Sequence, residues 1–390
     1  MANHGQKVKM GMVGGGPGAF IGAVHRMAAI LDHKIELVCG AFSSDAEKSK
    51  QCGSELGLDE SRVYESYGQM FEMESKLPAQ KRMKFVSIVT PNHLHFPIAK
   101  MAMEYGFEVV CDKPLAFNMK EANDLEKISK QTGRSFCVTY NYTGYPMVKQ
   151  AREMIRIGKI GKIRRVVVEY LQGWLATDLE ASGQKQASWR TDPSRAGVAG
   201  CIGDIGSHAE NIITYITGLE ISEICADLTK FVQDRKLDDD GNILLRFQNG
   251  AKGVMLASQI SVGEENDLVI KVYGEKGSVY WKQTEPNTLI VKWLNDATEI
   301  FRTSGNSVLA SAAHNTRLPV GHPEGFIEAF ANLYRNFAST IHARSQGFEP
   351  EPQNLDFPGL ADGIRGMAFI EAVIKSSNQN SQWVHLSEKR

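Results

Sequence analysis
The chain has 390 residues, of which 42% are hydrophobic and 23% charged, and its formal net charge is −1. Such a chain holds two domains with sizeable cores and is neither disordered nor fibrous. Its balanced charge excludes a general attraction to nucleic acid or to an anionic membrane, and no apolar run approaches the length of a membrane span.

Residues 1–7 (MANHGQK) do not read as a signal peptide. Residues 7–13 (KVKMGMV) read as a short buried strand, 14–22 (GGGPGAFIG) as a glycine-crowded turn, and 23–31 as the first turns of a helix. Glycines tolerate positive φ, and without a Cβ they let backbone N–H groups approach a diphosphate at a helix N-terminus. A dinucleotide fingerprint requires this strand–turn–helix context. Gly14 and Gly16 supply its opening G-x-G, and the third glycine is displaced to Gly22.

Residues 35–42 form a second buried strand, and Ser43, Ser44 and Asp45 lead into a helix running to about Leu56. A Rossmann strand ending here normally carries an acid for the adenosine ribose. This one offers Ser43 and Ser44, with Asp45 slightly late and Lys48 one turn on, a balance that leans to NAD and leaves NADP open. Strands at 85–91, 108–112 and 135–140 alternate with helices reaching Tyr105 and about Gln131, which implies a parallel sheet covered on both faces.

Beyond a helix ending at Ile157 the pattern changes to α+β. Residues 163–173 form one long strand, and 221–293 hold several more joined by turns at 239–242, 248–250 and 274–277. Asn249-Gly250 between two apolar runs is a strong hairpin signal. Helices are expected at about 204–218, 323–343 and 359–377, and 303–321 reads as a surface loop. The expected division is a dinucleotide-binding Rossmann domain at 1–141 and an α+β domain at 142–390. The six cysteines are scattered, without a C-x-x-C pair, which suits buried reduced thiols in a cytoplasmic protein.

Asp112, Lys113 and Pro114 end a parallel strand at the edge where α/β ligands bind, as do Thr90, Asn92 and His95. Asp204 and His208 stand at i and i+4, on one face of a helical turn, where an aspartate can fix a histidine's tautomer for general base work. Trp189 and Arg190 offer an aromatic wall and a cation to a cofactor; otherwise they are a surface anchor. His322 precedes a helix, where capping explains it equally well. A metal site is unattractive, because His93 and His95 lack helix-face spacing and no Cys/His cluster completes a ligand set.

In this order, GMVGGG, TPNHLH, DKPL, WR-x-DP and GDIGSH resemble the motifs of the Gfo/Idh/MocA family of NAD(P)-dependent oxidoreductases across nearly the whole chain. Asp112 stands where the family's EKP has Glu, and the GGGPGAFIG loop is similar to that of a longer-loop subgroup. The resemblance implies a Rossmann domain followed by an α+β domain with a large, mostly antiparallel open sheet, assembled as a homodimer or homotetramer. It implies hydride transfer between nicotinamide and a ring secondary alcohol of a sugar, glycoside or cyclitol. Lys113, Asp204 and His208 become the catalytic group, with Tyr142 and His322 beside them at the substrate. Gly14, Gly16, Pro17, Phe20, Ile21, Ser43, Ser44, Lys48, Thr90, Asn92, His95, Asp112, Lys113, Asn141, Trp189 and Arg190 become the cofactor set. Two other functions stay open: a glycoside-cleaving enzyme using NAD for transient oxidation, and a non-catalytic dinucleotide sensor.

Overall fold
The computed structural model describes residues 7–386. Residues 1–6, on which the expectation about a signal peptide rests, and residues 387–390 lie outside the described part. The chain divides into two compact units, Met1–Asn141 with Phe326–Ile364, and Tyr142–Gly325 with Arg365–Arg390.

The first unit is built on five parallel strands: β1 (Val8–Gly14), β2 (Ile35–Ala41), β3 (Phe85–Val89), β4 (Glu108–Cys111) and β5 (Phe136–Val138), in spatial order 2-1-3-4-5. Helices Phe20–Ile30, Ala46–Glu55, Tyr67–Lys76, His95–Glu104 and Met119–Thr132 fall between the strands. All five residues of β3 are buried, as a strand covered on both faces demands. Its one polar residue, Ser87, is satisfied by Tyr334, whose hydroxyl lies 2.7 Å from Ser87 Oγ and 2.7 Å from His25 Nδ1.

Tyr334 belongs to helix Phe326–Ser345, which returns from the far end of the chain. A division at 141/142 assigns that helix to the second part, whereas it packs with the first unit. Phe330, Tyr334 and Phe337 are buried against His25 and Phe85, each burial contributing roughly 1.5–3 kcal/mol. An apolar helix face carries no address of the sheet it will cover, so the chain order alone misassigns it.

Among the described residues the second unit carries nine strands: β6 (Ile163–Leu171), β7 (Ile221–Thr229), β8 (Asp240–Phe247), β9 (Lys252–Ser258), β10 (Asp267–Gly274), β11 (Gly277–Lys282), β12 (Thr288–Trp293), β13 (Glu299–Arg302) and β14 (Val384–His385). They order 13-12-11-10-6-9-8-7-14, antiparallel except where β6 runs parallel to β9. Helices Pro146–Arg156 and Ser207–Thr217 pack on this sheet, in which Val166, Val168, Ile270 and Trp281 are buried. The Asn249-Gly250 hairpin forms, with Gly250 at φ 88°.

The turn expected at 239–242 does not form: β8 starts at Asp240, and Gly241 lies within it, at a position where a Cβ would meet Leu228 at 2.7 Å and Ile202 at 2.8 Å. The expected surface loop 303–321 contains a short helix, Ala310–His314, tied down where Leu309 N–H donates to Gln150 Oε1 (2.7 Å). Among the described residues no helix is long and apolar enough to cross a membrane.

Candidate active site
In the first unit, β1 runs into Gly14 and Gly15, at φ 85° and 73°, where side chains rarely go. A Cβ on Gly22 would come within 2.4 Å of Gly15 Cα, so the displaced third glycine performs the close helix-to-turn packing of the fingerprint. Gly16 N–H donates to Phe42 O (3.1 Å), and a Cβ on Gly16 would stand 2.6 Å from that same oxygen. Helix Phe20–Ile30 starts with no side-chain cap and no acid in its first turn. Its N–H groups and dipole are therefore available to an anion. Pro17 and Phe20 are exposed beside it, and Ile21 is half-buried.

Past β2 the surface is polar and tightly self-bonded. Asp45 caps helix Ala46–Glu55 by accepting from the N–H groups of Glu47 (3.1 Å) and Lys48 (3.2 Å). The Lys48 N–H is the chief reason its carboxyl sits below the usual range. Lys48 Nζ folds back to 3.4 Å from Asp45 Oδ2, and Ser43 Oγ accepts from Asp45 N–H (3.1 Å), leaving Ser44 exposed.

At the ends of β3 and β4 the predicted residues separate into two kinds. His95 is fully buried, its Nδ1 2.8 Å from Pro114 O and its Nε2 3.0 Å from Thr90 O. Burial lowers its pKa, and its two ring nitrogens tie together two strand-end loops. Asp112 Oδ1 accepts from Lys113 N–H and Thr139 Oγ1, both at 2.9 Å, and so shapes the turn that displays half-buried Lys113. By contrast, Thr90 Oγ1 and Asn141 Nδ2 are buried without a hydrogen-bond partner, and Asn92 is buried nearby in sequence. Buried polar atoms left in this way call for a ligand or water. The glycine cradle, the uncapped helix and these atoms fit a dinucleotide.

In the second unit, a π-helical turn, Ile202–Gly206, precedes helix Ser207–Thr217. Buried Asp238 holds its start, accepting from Gly200 N–H (2.7 Å) and Ile202 N–H (2.8 Å). The turn carries Asp204, and His208 follows on the next one. Asp204 Oδ2 accepts from Arg190 Nε (3.2 Å) and Gln259 Nε2 (2.9 Å). His208 is buried with its ring edge-on to Tyr142, centroids 4.9 Å apart, and to Tyr170 at 6.3 Å. The Tyr142 and Tyr170 hydroxyls bond each other, and burial pushes both phenols up.

The structure thus brings Tyr142, Arg190, Asp204 and His208 into one polar cluster. The guanidinium of Arg190 pairs with Asp204 and lies over the rings of Trp189 (4.3 Å) and Trp174 (6.0 Å). His322 is exposed, with its Nδ1 3.3 Å from Pro319 O. Beside it Glu324 is the buried group, accepting from Leu318 N–H (2.8 Å). Sequence reading missed Tyr170, Gln172, Gln259 and Asn266. They flank strand ends far apart in the chain, and no spacing announces them. Among the described residues no group of His, Cys, Asp or Glu is arranged to hold a metal.

Residues 8–140 match the oxidoreductase family with an NAD-binding Rossmann fold, and residues 148–280 match the GFO/IDH/MocA C-terminal domain. The molecule is an NAD-binding oxidoreductase. It belongs to the Gfo/Idh/MocA family. It is 36% identical over 381 residues to an uncharacterised oxidoreductase of Bacillus subtilis, YfiI, covering 97% of this chain and 96% of that one. It is 28% identical over 326 residues to a levoglucosan dehydrogenase of Pseudarthrobacter phenanthrenivorans, covering 78% and 80%. A crystal structure of an inositol dehydrogenase homolog from Azotobacter vinelandii, complexed with NADH and myo-inositol, superposes with a TM-score of 0.90 at 32% identity, covering 97% and 98%.

Proposed function
We propose that this oxidoreductase interconverts a ring secondary alcohol and its ketone on a sugar, glycoside or cyclitol, with NAD as hydride carrier. The observation that supports this most is Asp204, gripped by Arg190 and Gln259 one turn ahead of buried His208. A non-catalytic sensor has no use for a fixed carboxylate beside a histidine. Relatives named for an anhydrosugar and crystallised with a cyclitol support the substrate class.

When bound, NAD supplies the hydride acceptor, held by the glycine turn and the start of helix Phe20–Ile30. In this reading His208, oriented by Asp204, takes the hydroxyl proton while Lys113 hydrogen-bonds the same oxygen. Asp112 and Thr139 keep the Lys113 turn in shape. Excluding water and aligning the carbinol carbon are the remaining tasks of the protein.

A panel of sugars, glycosides and inositols screened with NAD and NADP, followed by absorbance of the reduced nicotinamide, tests the reaction class. Release of free sugar without net cofactor reduction would replace it with the glycoside-cleaving mechanism. On the best substrate, His208→Ala and Lys113→Ala should each lower kcat by roughly two to four decades with little change in NAD affinity. Near wild-type turnover in either variant removes that residue from the catalytic group.

A further inference from the structure
The side chains around Asp204 form a directional polar chain within the second unit, and its reading rests on the function proposed above. Donor and acceptor roles follow from chemistry. An ionised carboxylate only accepts, so Gln259 must turn Nε2 towards Asp204, and Arg190 has nothing but donors to offer. Gln259 Nε2 also lies 3.4 Å from Gln172 Oε1, which accepts from Trp174 Nε1 at 3.0 Å. Gln172 Nε2 is left to donate to Asn266 Oδ1 (2.6 Å), which accepts from the Tyr170 hydroxyl as well (2.8 Å). Asn266 Nδ2 in turn donates to the Tyr142 oxygen at 3.3 Å. Because the Tyr170 proton points at Asn266, the Tyr142 hydroxyl is the donor of the pair.

Each amide therefore has one orientation. Gln259 is the link that joins the tyrosines beside His208 to the carboxylate of Asp204. Its own backbone is pinned on both sides, N–H to Asp239 O (2.9 Å) and O to Leu175 N–H (3.0 Å), and it is buried just past the end of β9. The reach of its side chain is set before any substrate arrives.

We propose that Gln259 is a positioning residue of the reaction: it fixes the rotamer of Asp204, keeps that carboxylate ionised, and registers Tyr142 and Tyr170 around His208. A glutamine that only filled space would pack there without an oriented donor. Among the described residues, Arg190 pairs with Asp204, the charge of Asp204 also reaches Cys201, Tyr142 and Tyr170, and the titratable His208 stands one turn on.

The test uses Gln259→Glu and Gln259→Leu in the full chain. The glutamate is isosteric, and two carboxylates at hydrogen-bond distance share one proton. Gln259→Glu should therefore work while that proton is present and acquire a descending limb in its kcat profile at a pH where the wild type is flat. Gln259→Leu should lower kcat about tenfold or more, with unchanged NAD affinity by calorimetry.

A readout without turnover separates this inference from the functional reading. In protein labelled with [4-13C]aspartate, the Asp204 resonance, identified by its loss in Asp204→Asn, should titrate about one unit higher in Gln259→Leu than in wild type. Unshifted titration, with a kcat profile unchanged in shape and only the Tm lowered, would reduce Gln259 to packing and overturn the proposal. Inactivity of the wild type on every sugar and cyclitol would instead overturn the function, while the Asp204 titration still decides the role of Gln259.

Discussion

Asp45 shows how one side chain can serve structure and selectivity together. Its carboxylate accepts two backbone N–H groups at the start of helix Ala46–Glu55, and it holds Lys48 by an exposed ion pair. A 2′-phosphate placed near this strand end would meet the carboxylate, and the nearby cation of Lys48 is already engaged by it. Surface pairing gains little in any case. Asp45→Ala should therefore raise kcat/KM for NADP relative to NAD, and should lower stability through the lost cap. Steady-state kinetics with both cofactors, alongside urea titration, measures the two effects separately. A wild-type preference for NADP, or no gain in NADP use by the variant, would show that Lys48 and the serines outweigh Asp45.

At the scale of elements, the helical stretch from Gly200 to Thr217 depends on one carboxylate it does not contain. Asp238, in the segment entering β8, accepts from Gly200 and Ile202, and the backbone carbonyl of Asp238 accepts from Cys201 N–H at 2.8 Å. Removing the carboxylate leaves two N–H groups without partners at a largely buried helix start, a loss of about 2–4 kcal/mol. Asp204 stands two residues further on, at the π turn, so Asp238→Ala should also lower kcat while leaving NAD affinity intact. Denaturant unfolding and calorimetric titration of the same variant give both answers. Full activity would mean that the π turn keeps its geometry without this anchor.

For the whole molecule, acid stability turns on His25. The ring is fully buried against Phe330 and hydrogen-bonded to Tyr334, and burial lowers its pKa to about 4. Unfolded, it would titrate near 6.5. The unfolded chain thus binds the extra proton first as pH falls below 6.5. The stabilisation is fully present above that pH and is lost as pH drops towards 4, on the order of 2 kcal/mol by pH 5. Urea titrations at pH 7.5 and pH 5.0 should show this loss in wild type and a smaller one in His25→Gln. Equal losses in both would assign the acid sensitivity to other groups. Because Tyr334 lies on helix Phe326–Ser345, that helix should show the earliest loss of hydrogen-exchange protection.

Local chemistry made much of this protein legible. Strands at 8–14, 35–41 and 85–89 announce themselves as apolar runs, because parallel strands bury both faces. Gly14, Gly16 and the late Gly22 marked the turn, since backbone at positive φ or in close approach excludes a Cβ. Asp204 and His208 stood out because residues four apart in a helical stretch share a face. The tertiary structure decided the rest. A side chain's partner across a sheet has no spacing in the chain, so the pairing of Arg190 with Asp204 and the roles of Gln172, Gln259 and Asn266 emerge only when β6, β9 and β10 lie side by side. The polarity of His95 is visible in sequence; its burial, with each ring nitrogen on a backbone carbonyl, is not. Helix Phe326–Ser345 looked like part of the second half because its apolar face fits any sheet, and only the packing of Tyr334 on Ser87 and His25 shows which one it covers.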